Sequence, residues 1–488
     1  MRFGRRGLPI LIALVVALVA VPALAAVALT RVSTDPYTNA ASQHRTEVEP
    51  DTFAFGSTPP TSTIVSAFQV GRVFGGGSAN IGWARSADGG ATWTTNRFLP
   101  GTTTVASPAG PYSAISDPAV AFDARHNVWL ISSLGIRPNG TNQVVTSRST
   151  NGGATWSNPV ATSTTGNPDK NWIVCDNTTS SPFYGNCYTE WDNTADGNRI
   201  KMQTSSNGGL TWGPARNTGD NATGLGGQPL VRPNGTVLVP MNNANQSQIR
   251  SFRSIDGGAS WRATVLVSSI SRHTVAGGLR TSPLPSAEMD AAGTAYVVWQ
   301  DCRFRSGCSA NDIVMSKSTS ETTWGPVTRV PIDATSSTVD HFIPGLGVDR
   351  STSGASARIG LTYYYFPTAA CSAATCQLNV GFISSTNGGT SWSAATNVTG
   401  PMSLSWLANT SQGRMVGDYI STSVLPGGRA WPTIAVAAAP SGGLFDEAMY
   451  VPTGGLAVTG GTARSSAAGV VVARPTQAAR TAPAVTRH

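Results

Sequence analysis

Short runs of β-forming residues, separated by Gly, Asn, Asp and Pro, extend through most of the chain. One stretch shows the pattern clearly, because apolar and β-branched residues fill the runs 117–123, 128–134 and 143–147 with turn residues between them. Runs of this length predict strands that are joined by tight turns. No amphipathic period long enough for a helix occurs between residues 33 and 452. The pattern therefore predicts an all-β protein.

An eight-residue phrase, Ser-x-Asp/Asn-Gly-Gly-x-Thr/Ser-Trp, recurs along the chain. Asp-Gly-Gly or Asn-Gly-Gly between two β-forming runs is a hairpin signal, since Asp and Asn bond their own backbone and Gly accepts positive φ. The closing Trp is bulky enough to wedge beneath the turn. Five complete copies and one eroded copy are present: 86–93, 149–156, 205–212, 254–261, 385–392 and, without the glycines, 318–324.

The repeated phrase resembles the Asp-box, or BNR repeat, of sialidase-like β-propellers. Its Trp residues recur at intervals of roughly 50 to 70 residues, which suits one four-stranded blade per copy. Six copies and a further set of strands without a box, from Val416 to Val451, favour seven blades, the last closed by an N-terminal strand. Six blades are the alternative. The resemblance implies that the box turns lie on the face away from the binding site, so none of their residues is a candidate site residue.

The two ends of the chain differ in composition from its body. Basic residues before an apolar run, and Ala23-Leu-Ala25 as a cleavage site, predict an export signal in 1–32. A single propeller is expected over 33–452, and the Gly/Ala/Thr/Arg-rich tail 453–488 is expected to be disordered. An uncleaved anchor is the alternative to cleavage, after which we expect no membrane span. Three close cysteine pairs predict disulfides in a secreted, monomeric protein: 175 with 187, 302 with 308, and 371 with 376.

The formal net charge of +8 does not indicate a nucleic-acid partner. Arginines in 1–32 and 453–488, where no acid occurs, account for the whole excess, so the body is neutral overall. A binder of polyanions requires a basic patch on the folded domain. The resemblance to sialidase-like propellers implies instead an extracellular carbohydrate or glycoconjugate as the partner.

Strand parity places the candidate chemistry at one mouth of the propeller. Strand direction alternates within a blade, so the starts of first strands and the second-to-third loops share the face opposite the box turns. Charged and aromatic residues concentrate there, and convergent charge in a concave site marks a functional site. The candidates near first strands are Asp117, Asp169, Trp172, Arg414, Asp418 and Tyr419, and those in second-to-third loops are Arg72, Glu190, Asp301 and Arg303.

The sialidase resemblance implies roles for these residues. That family holds a substrate carboxylate with three arginines and uses an Asp acid/base and a Tyr nucleophile activated by a Glu. Arg72, Arg303 and Arg414 would form the arginine set, with Asp301, Asp418 and Trp172 as further binding residues. Asp117 or Asp169 would be the acid, and Tyr419 with Glu190 the nucleophile pair. The family's Arg-Ile-Pro signature is absent, and Glu49-Pro-Asp51 stands where it would be expected.

Two classes of function follow. The first is a secreted, sialidase-like exo-glycosidase that hydrolyses extracellular glycans by carboxylate acid/base catalysis at the mouth. The second is a non-catalytic propeller that binds a glycan or a protein, which would present aromatic shelves formed by Trp172, Trp191 and Trp299. No cofactor is expected, although a structural Ca²⁺ held by mouth carboxylates is a further hypothesis.

Overall fold

The computed structural model describes residues 27–467, and within them the chain is built from antiparallel strands and five short 3-10 turns. Most of the strands form antiparallel sheets that are built around four strands each, and these sheets are numbered here 1 to 7 in chain order. Sheets 1 and 2 are joined through one residue pair, Ser78 and Ile115. The predictions of an all-β chain and of four-stranded antiparallel sheets are confirmed.

Sheets 1 to 3 have regular four-stranded order. Sheet 1 comprises Glu47–Phe55, Thr63–Arg72, Ser78–Ser86 and Thr94–Phe98. Sheet 2 comprises Ala114–Asp123, Val128–Ile136, Asn142–Ser149 and Val160–Ala161. Sheet 3 comprises Pro168–Cys175, Cys187–Asn193, Arg199–Ser205 and Arg216–Asn217.

Sheets 4 to 6 follow the same order with small variations. The first strand of sheet 4 is split in two, and its strands are Gly224–Leu225, Leu230–Val231, Val237–Asn243, Gln248–Ser254 and Val265–Ser269. Sheet 5 comprises Ser286–Met289, Ala295–Asp301, Asp312–Ser318 and Thr328–Arg329. Sheet 6 comprises Asp340–Val348, Ile359–Phe366, Gln377–Ser385 and Thr396–Ser403.

Sheet 7 is completed by the N-terminal end of the described chain. Its strands are Ser421–Leu425, Arg429–Ala437, Glu447–Pro452 and, antiparallel to the last of these, Leu29–Arg31. The first strand of each sheet contacts the first strands of the two neighbouring sheets, and sheet 7 contacts sheet 1 in the same way. The first strands therefore surround a common axis.

Apolar side chains fill the space between neighbouring sheets. Trp83 of sheet 1 and Trp156, from the box of sheet 2, belong to one cluster, and Tyr188 of sheet 3 packs against Trp261, from the box of sheet 4. Burial of such large rings between sheets is a main source of stability. The box tryptophans therefore join neighbouring sheets, as the repeat predicts.

The ends of the domain differ from the sequence expectation. Residues 453–467 follow the propeller surface, with short strands at Leu456–Ala457, Ala463–Arg464 and Ser466–Ala467 paired to sheet 7, the box strand Ser391–Trp392 and sheet 5. Each gains backbone hydrogen bonds from an open edge, which composition alone does not reveal. The predicted signal sequence up to residue 26, and the tail from residue 468, lie outside the described residues.

All three predicted disulfides form, Cys175–Cys187, Cys302–Cys308 and Cys371–Cys376. In the described part of the chain, no helix has the length and hydrophobicity needed to cross a membrane.

Candidate functional site

A repeated irregularity sets the direction of the charged side chains at the start of the first strands. In sheets 1, 2 and 3 the pairing register shifts at Glu49, Asp117 and Lys170, and each of these residues has a positive φ, between 48° and 59°. A β-bulge inserts one residue and re-aims its side chain, and left-handed backbone in a bulky residue is costly. The bulges bring three charged side chains from neighbouring sheets together at one end of the channel.

Lys170 is the centre of this cluster. Its ammonium nitrogen lies 3.9 Å from Glu49 Oε1 and 4.0 Å from Asp117 Oδ2, and it forms a short hydrogen bond to Asp418 Oδ2. Arg280 binds the same Asp418 carboxylate through two hydrogen bonds, of 2.7 Å to Oδ1 and 2.5 Å to Oδ2. Two cations therefore fix one carboxylate at the mouth, in the forked geometry that favours arginine.

The charges in the cluster shift one another's protonation. Burial opposes ionisation of Asp418, but Arg280 and Lys170 outweigh it and lower the pKa of that carboxyl below its ordinary value. Burial would likewise lower the pKa of Lys170, yet Asp117, Asp418 and Glu49 raise it. Burial raises the pKa of Glu49 to about 7, although Lys170 opposes this. A buried carboxyl that titrates near neutrality marks a candidate functional site.

Asp117 and Asp169 share one backbone donor. The amide nitrogen of Lys170 lies 3.1 Å from Asp117 Oδ2 and 3.1 Å from Asp169 Oδ1, so these two oxygens are no more than twice that distance apart. Ser116 donates a hydrogen bond of 2.7 Å to the other oxygen of Asp117. Two carboxylates are thereby held side by side by the bulge at Lys170.

These residues line a cavity of about 340 Å³ at the mouth. Four of the sequence candidates, Arg72, Asp117, Asp169 and Asp418, are in its wall together with Lys170 and Arg280. Glu49 is buried immediately behind this wall, where its carboxylate accepts hydrogen bonds from Gln69 Nε2 and from the backbone amide of Asp418.

Arg72 enters the wall from the last position of the second strand of sheet 1. One terminal nitrogen donates to Gln69 Oε1 at 2.8 Å and to the carbonyl of Gly77 at 2.9 Å. Burial and the nearby charge of Arg280 lower the pKa of Arg72 to about 10. An arginine in such surroundings is stabilised by any anion that enters the cavity.

Trp172 and Tyr419 lie deeper in the channel than the mouth cavity. Their rings meet edge to face at 4.9 Å, and both border a narrow space below Lys170. The Tyr419 hydroxyl donates to the carbonyl of Pro118 at 3.0 Å. Burial, reinforced by Glu49 and Asp117, raises the pKa of Tyr419 well above its ordinary value, which disfavours the phenolate. The structure gives Tyr419 a packing position at this depth.

Glu190 is fully buried and lies against Gly227, where a Cβ would come within 2.7 Å of the Glu190 carboxyl carbon. Burial, with a further contribution from Asp192, raises its pKa well above the ordinary value. Glu190 is not part of the mouth wall, and the Tyr419 hydroxyl is bound to Pro118. The structure therefore does not bring the predicted nucleophile pair together.

The three candidate arginines do not converge. Arg303 forms a forked pair with Asp301, with contacts of 2.9 Å and 2.7 Å, and Trp299 also donates to that carboxylate. The Arg414 guanidinium donates to the carbonyl of Leu407 at 2.8 Å. Of the predicted set, only Arg72 reaches the mouth wall. Asp301 and Arg303 neutralise each other's charge, because they are two residues apart on one tight turn.

The sequence also places Glu49, Lys170 and Arg280 at or near first strands, without indicating a role for them. Glu49 and Lys170 occupy the same place in their first strands as Asp117 does in its own. The pairing of Arg280 with Asp418 depends on the path of a long connection across the mouth, which no local pattern predicts.

Among the described residues, one group of three side chains has the spacing of a metal site: Asp312, Asp333 and His341. Arg305 and Arg329 already form ion pairs with both carboxylates, at distances between 2.5 Å and 2.8 Å. Two guanidinium groups balance the two negative charges, so this group is an ion-pair network that joins sheets 5 and 6.

No protein-family model matches the chain, and no curated protein matches it. Solved structures do show similarity. A Hadza microbial sialidase, Hz136, is 16% identical at a TM-score of 0.41 over 66% of this chain and 65% of that one. A Dyadobacter fermentans protein of unknown function is 16% identical at 0.45, over 74% and 99%. The NanB sialidase of Streptococcus pneumoniae is 12% identical at 0.41, over 84% and 68%.

The chain thus spans about 65% of the length of the Hadza sialidase.

Proposed function

We propose that the protein is an exported glycoside hydrolase whose reaction takes place in the mouth cavity. Asp117 and Asp169 are the two carboxyl groups that perform acid/base catalysis. The observation that carries the proposal is their attachment to the same backbone amide, that of Lys170. Glycosidic bond hydrolysis commonly requires two carboxyl groups, one on each side of the scissile bond.

The spacing of the two carboxylates bears on the stereochemistry of the reaction. Retaining enzymes hold their carboxyl groups about 5–5.5 Å apart, and inverting enzymes hold them about 6.5–9.5 Å apart. Because both carboxylates bind the same amide, the distance between the nearest oxygens of Asp117 and Asp169 is at most twice 3.1 Å. This upper limit on the oxygen–oxygen distance is compatible with the spacing of retaining enzymes and shorter than that of inverting enzymes, so it favours a retaining reaction.

The cations of the site favour an anionic sugar. Lys170, Arg280 and Arg72 lie in the same wall as the carboxylates, and Arg72 is the one among them without a carboxylate hydrogen bond in the described structure. A sialic acid or another acidic sugar would supply that carboxylate. A cavity of about 340 Å³ has room for one terminal residue, which supports exo action.

Three disulfides are consistent with the exported location that the proposal includes.

The second candidate, a non-catalytic glycan-binding propeller, finds less support. It requires aromatic shelves, yet Trp191 and Trp299 are only 1% and 0% exposed. Trp172 lies below the mouth, and the described wall of the cavity contains no Trp, Tyr or Phe. Sugar binding without hydrolysis would then depend on charged and hydrogen-bonding groups, without an aromatic surface for stacking.

A substrate screen tests the proposal. The secreted protein is assayed against fluorogenic glycosides, starting with sialosides, followed by other acidic and neutral sugars. Asp117→Asn and Asp169→Asn should each lower kcat/KM by about 100-fold or more, since a positioned acid or base contributes at least that much. Asp196→Asn, at an exposed pair with Arg199, is the control for removal of one carboxylate from the surface.

Turnover that survives both substitutions would exclude this carboxylate pair. Absence of turnover on every glycoside, combined with measurable sugar binding that Arg72→Met abolishes, would instead support the binding propeller.

A further inference from the structure

The connection between sheets 4 and 5 crosses the mouth. Residues 271–285, which we call the strap, run from the end of Val265–Ser269 to the start of Ser286–Met289. Side chains from its beginning, including His273, and from its end, including Arg280, are in the wall of the mouth cavity. One side of the candidate site is therefore made by a segment without regular secondary structure.

The far half of the strap is fastened to an extension that precedes sheet 7. The amide of Arg280 donates to the carbonyl of Arg414 at 2.7 Å, and the amide of Arg414 donates to the carbonyl of Gly278 at 3.0 Å. Gly277 packs so closely on the disulfide loop 371–376 that a Cβ there would lie 2.8 Å from Cys376 Sγ. The backbone of Arg414 thus positions the strap, while its side chain binds Leu407.

The near half of the strap is fastened to sheet 5. The side chain of Asn311 is fully buried and binds the backbone of His273 through two hydrogen bonds. It accepts one from the His273 amide at 2.8 Å and donates one to the His273 carbonyl at 2.9 Å. Asp340 holds the Asn311 side chain through a hydrogen bond of 2.8 Å. The amide of Cys302 donates to the carbonyl of Ser271 at 2.7 Å. Three hydrogen bonds, two from Asn311 and one from Cys302, therefore fix the backbone around His273 to sheet 5 and its loop.

The disulfide loop 302–308 also fixes the imidazole ring. His273 Nδ1 lies 3.0 Å from the carbonyl oxygen of Cys308. A carbonyl oxygen only accepts hydrogen bonds, so Nδ1 carries the proton and, in the neutral ring, Nε2 is the acceptor. This is the tautomer that presents an acceptor nitrogen on the side of the ring away from Cys308.

We propose that His273 is a substrate-binding residue that accepts a hydrogen bond from a sugar hydroxyl through Nε2. In this proposal the Cys302–Cys308 loop is the device that positions the ring and selects its tautomer. The inference rests on the proposed function, since it assigns His273 to the same cavity. Breaking the disulfide frees the Cys308 carbonyl from its fixed place and releases the ring.

Two measurements on the full chain test the proposal. Nitrogen-15 spectra of labelled histidines report the protonated ring nitrogen, and a His273→Gln variant identifies the His273 signals. The unaltered protein should show the Nδ1-protonated pattern, and Cys302→Ser/Cys308→Ser should lose it. Cys175→Ser/Cys187→Ser removes a disulfide that lines a separate cavity on the box-turn side of the channel, and should keep the pattern.

Kinetics with the best glycoside of the screen supply the second measurement. His273→Leu, which has no acceptor atom, and the Cys302→Ser/Cys308→Ser variant should raise KM about tenfold, the equivalent of one lost hydrogen bond, with a much smaller change in kcat. Sialyllactose added to the unaltered protein should shift the Nε2 signal of His273.

An unchanged ring pattern in the Cys302→Ser/Cys308→Ser variant would overturn the positioning role, and an unchanged KM in His273→Leu would overturn the binding role. If the disulfide variant does not fold, His273→Leu, with the disulfide intact, still decides the binding role. If no glycoside is turned over, the proposed function fails. A shift of the Nε2 signal with sialyllactose would then uphold sugar binding by His273, and its absence would overturn it.

Discussion

At the scale of the residue, the site depends on backbone positions that are locally unfavourable. Glu49, Asp117 and Lys170 have positive φ in first strands, and Ile343 of sheet 6 has the same irregularity without a charge. Strained positions of this kind persist only where the surroundings determine them, and they cluster at functional sites. The repetition in sheet 6 shows that the bulge belongs to the fold, while the charges in sheets 1 to 3 are specific to the mouth.

Glu49 gives a testable consequence for pH dependence. Burial raises its pKa from an ordinary value of 4.5 to about 7. A carboxyl whose pKa is raised by folding contributes stability that is fully present below pH 4.5 and lost as the pH rises through 7. Glu49→Gln should remove this loss, so the variant gains unfolding free energy relative to the unaltered protein between pH 5 and pH 8. Denaturant titrations across this range measure the difference.

The control for this prediction is Glu321→Gln, which removes one negative charge at an exposed pair with Arg253. If Glu49→Gln shows the same pH dependence as the unaltered protein, Glu49 does not titrate in this range.

Sequence reasoning predicted part of the cavity wall for a physical reason. Strand parity is a property of the repeat, so it correctly gathered Arg72, Asp117, Asp169 and Asp418 at one cavity. It placed Arg280 near a first strand but did not predict its pairing with Asp418, because that contact depends on the path of the strap. It also overestimated Arg303, whose partner Asp301 lies two residues away on the same turn.

At the scale of the element, each complete box is a small hydrogen-bonded unit. In the first copy, Ser86 Oγ accepts from the amide of Gly90 at 2.7 Å, and Asp88 Oδ1 accepts from the amide of Thr92 at 2.9 Å. The eroded copy, 318–324, keeps a reduced form of this network, in which Ser318 Oγ accepts from the amide of Ser320 at 3.0 Å and Ser320 Oγ accepts from the amide of Thr323 at 3.3 Å. Arg232 of sheet 4 adds hydrogen bonds to the carbonyls of residues 318–320. The turn thus keeps its place with an additional source of hydrogen bonds.

The second glycine of the box carries two requirements that a substitution can separate. Gly90 has φ of 94°, and a Cβ there would lie 2.2 Å from the Trp431 ring of sheet 7. Gly140, which lies outside the boxes in the turn between the second and third strands of sheet 2, serves as the comparison. It has φ of 80° and no neighbour within 4 Å of an added Cβ. Gly140→Ala should cost about 1–2 kcal/mol for left-handed backbone. Gly90→Ala should cost about 1–3 kcal/mol more because the ring must move. Equal losses in denaturant unfolding would show that the contact with Trp431 is dispensable.

At the scale of the whole molecule, the propeller joins its two ends through sheet 7. Leu29–Arg31 pairs with residues 450–452, and the amide of buried Val32 donates to the carbonyl of Met449 at 2.9 Å. The sequence analysis predicts an N-terminal strand that closes the last blade, but composition placed residues 29–31 in the leader segment, because three residues of strand carry no pattern of their own. Their role exists only once the last sheet offers an open edge.

This closure predicts a difference between two truncated chains that both lack residues 1–26. A chain that begins at Val27 retains the outer strand, whereas one that begins at Ser33 loses its backbone hydrogen bonds and the burial of Val32. The shorter chain exposes the edge of Glu447–Pro452, so its Tm should fall by several degrees and proteolysis should begin near sheet 7. Calorimetry and limited proteolysis compare the two. Identical melting and cleavage patterns would mean that sheets 7 and 1 hold the ring together without the N-terminal strand, through the contacts between their first strands alone.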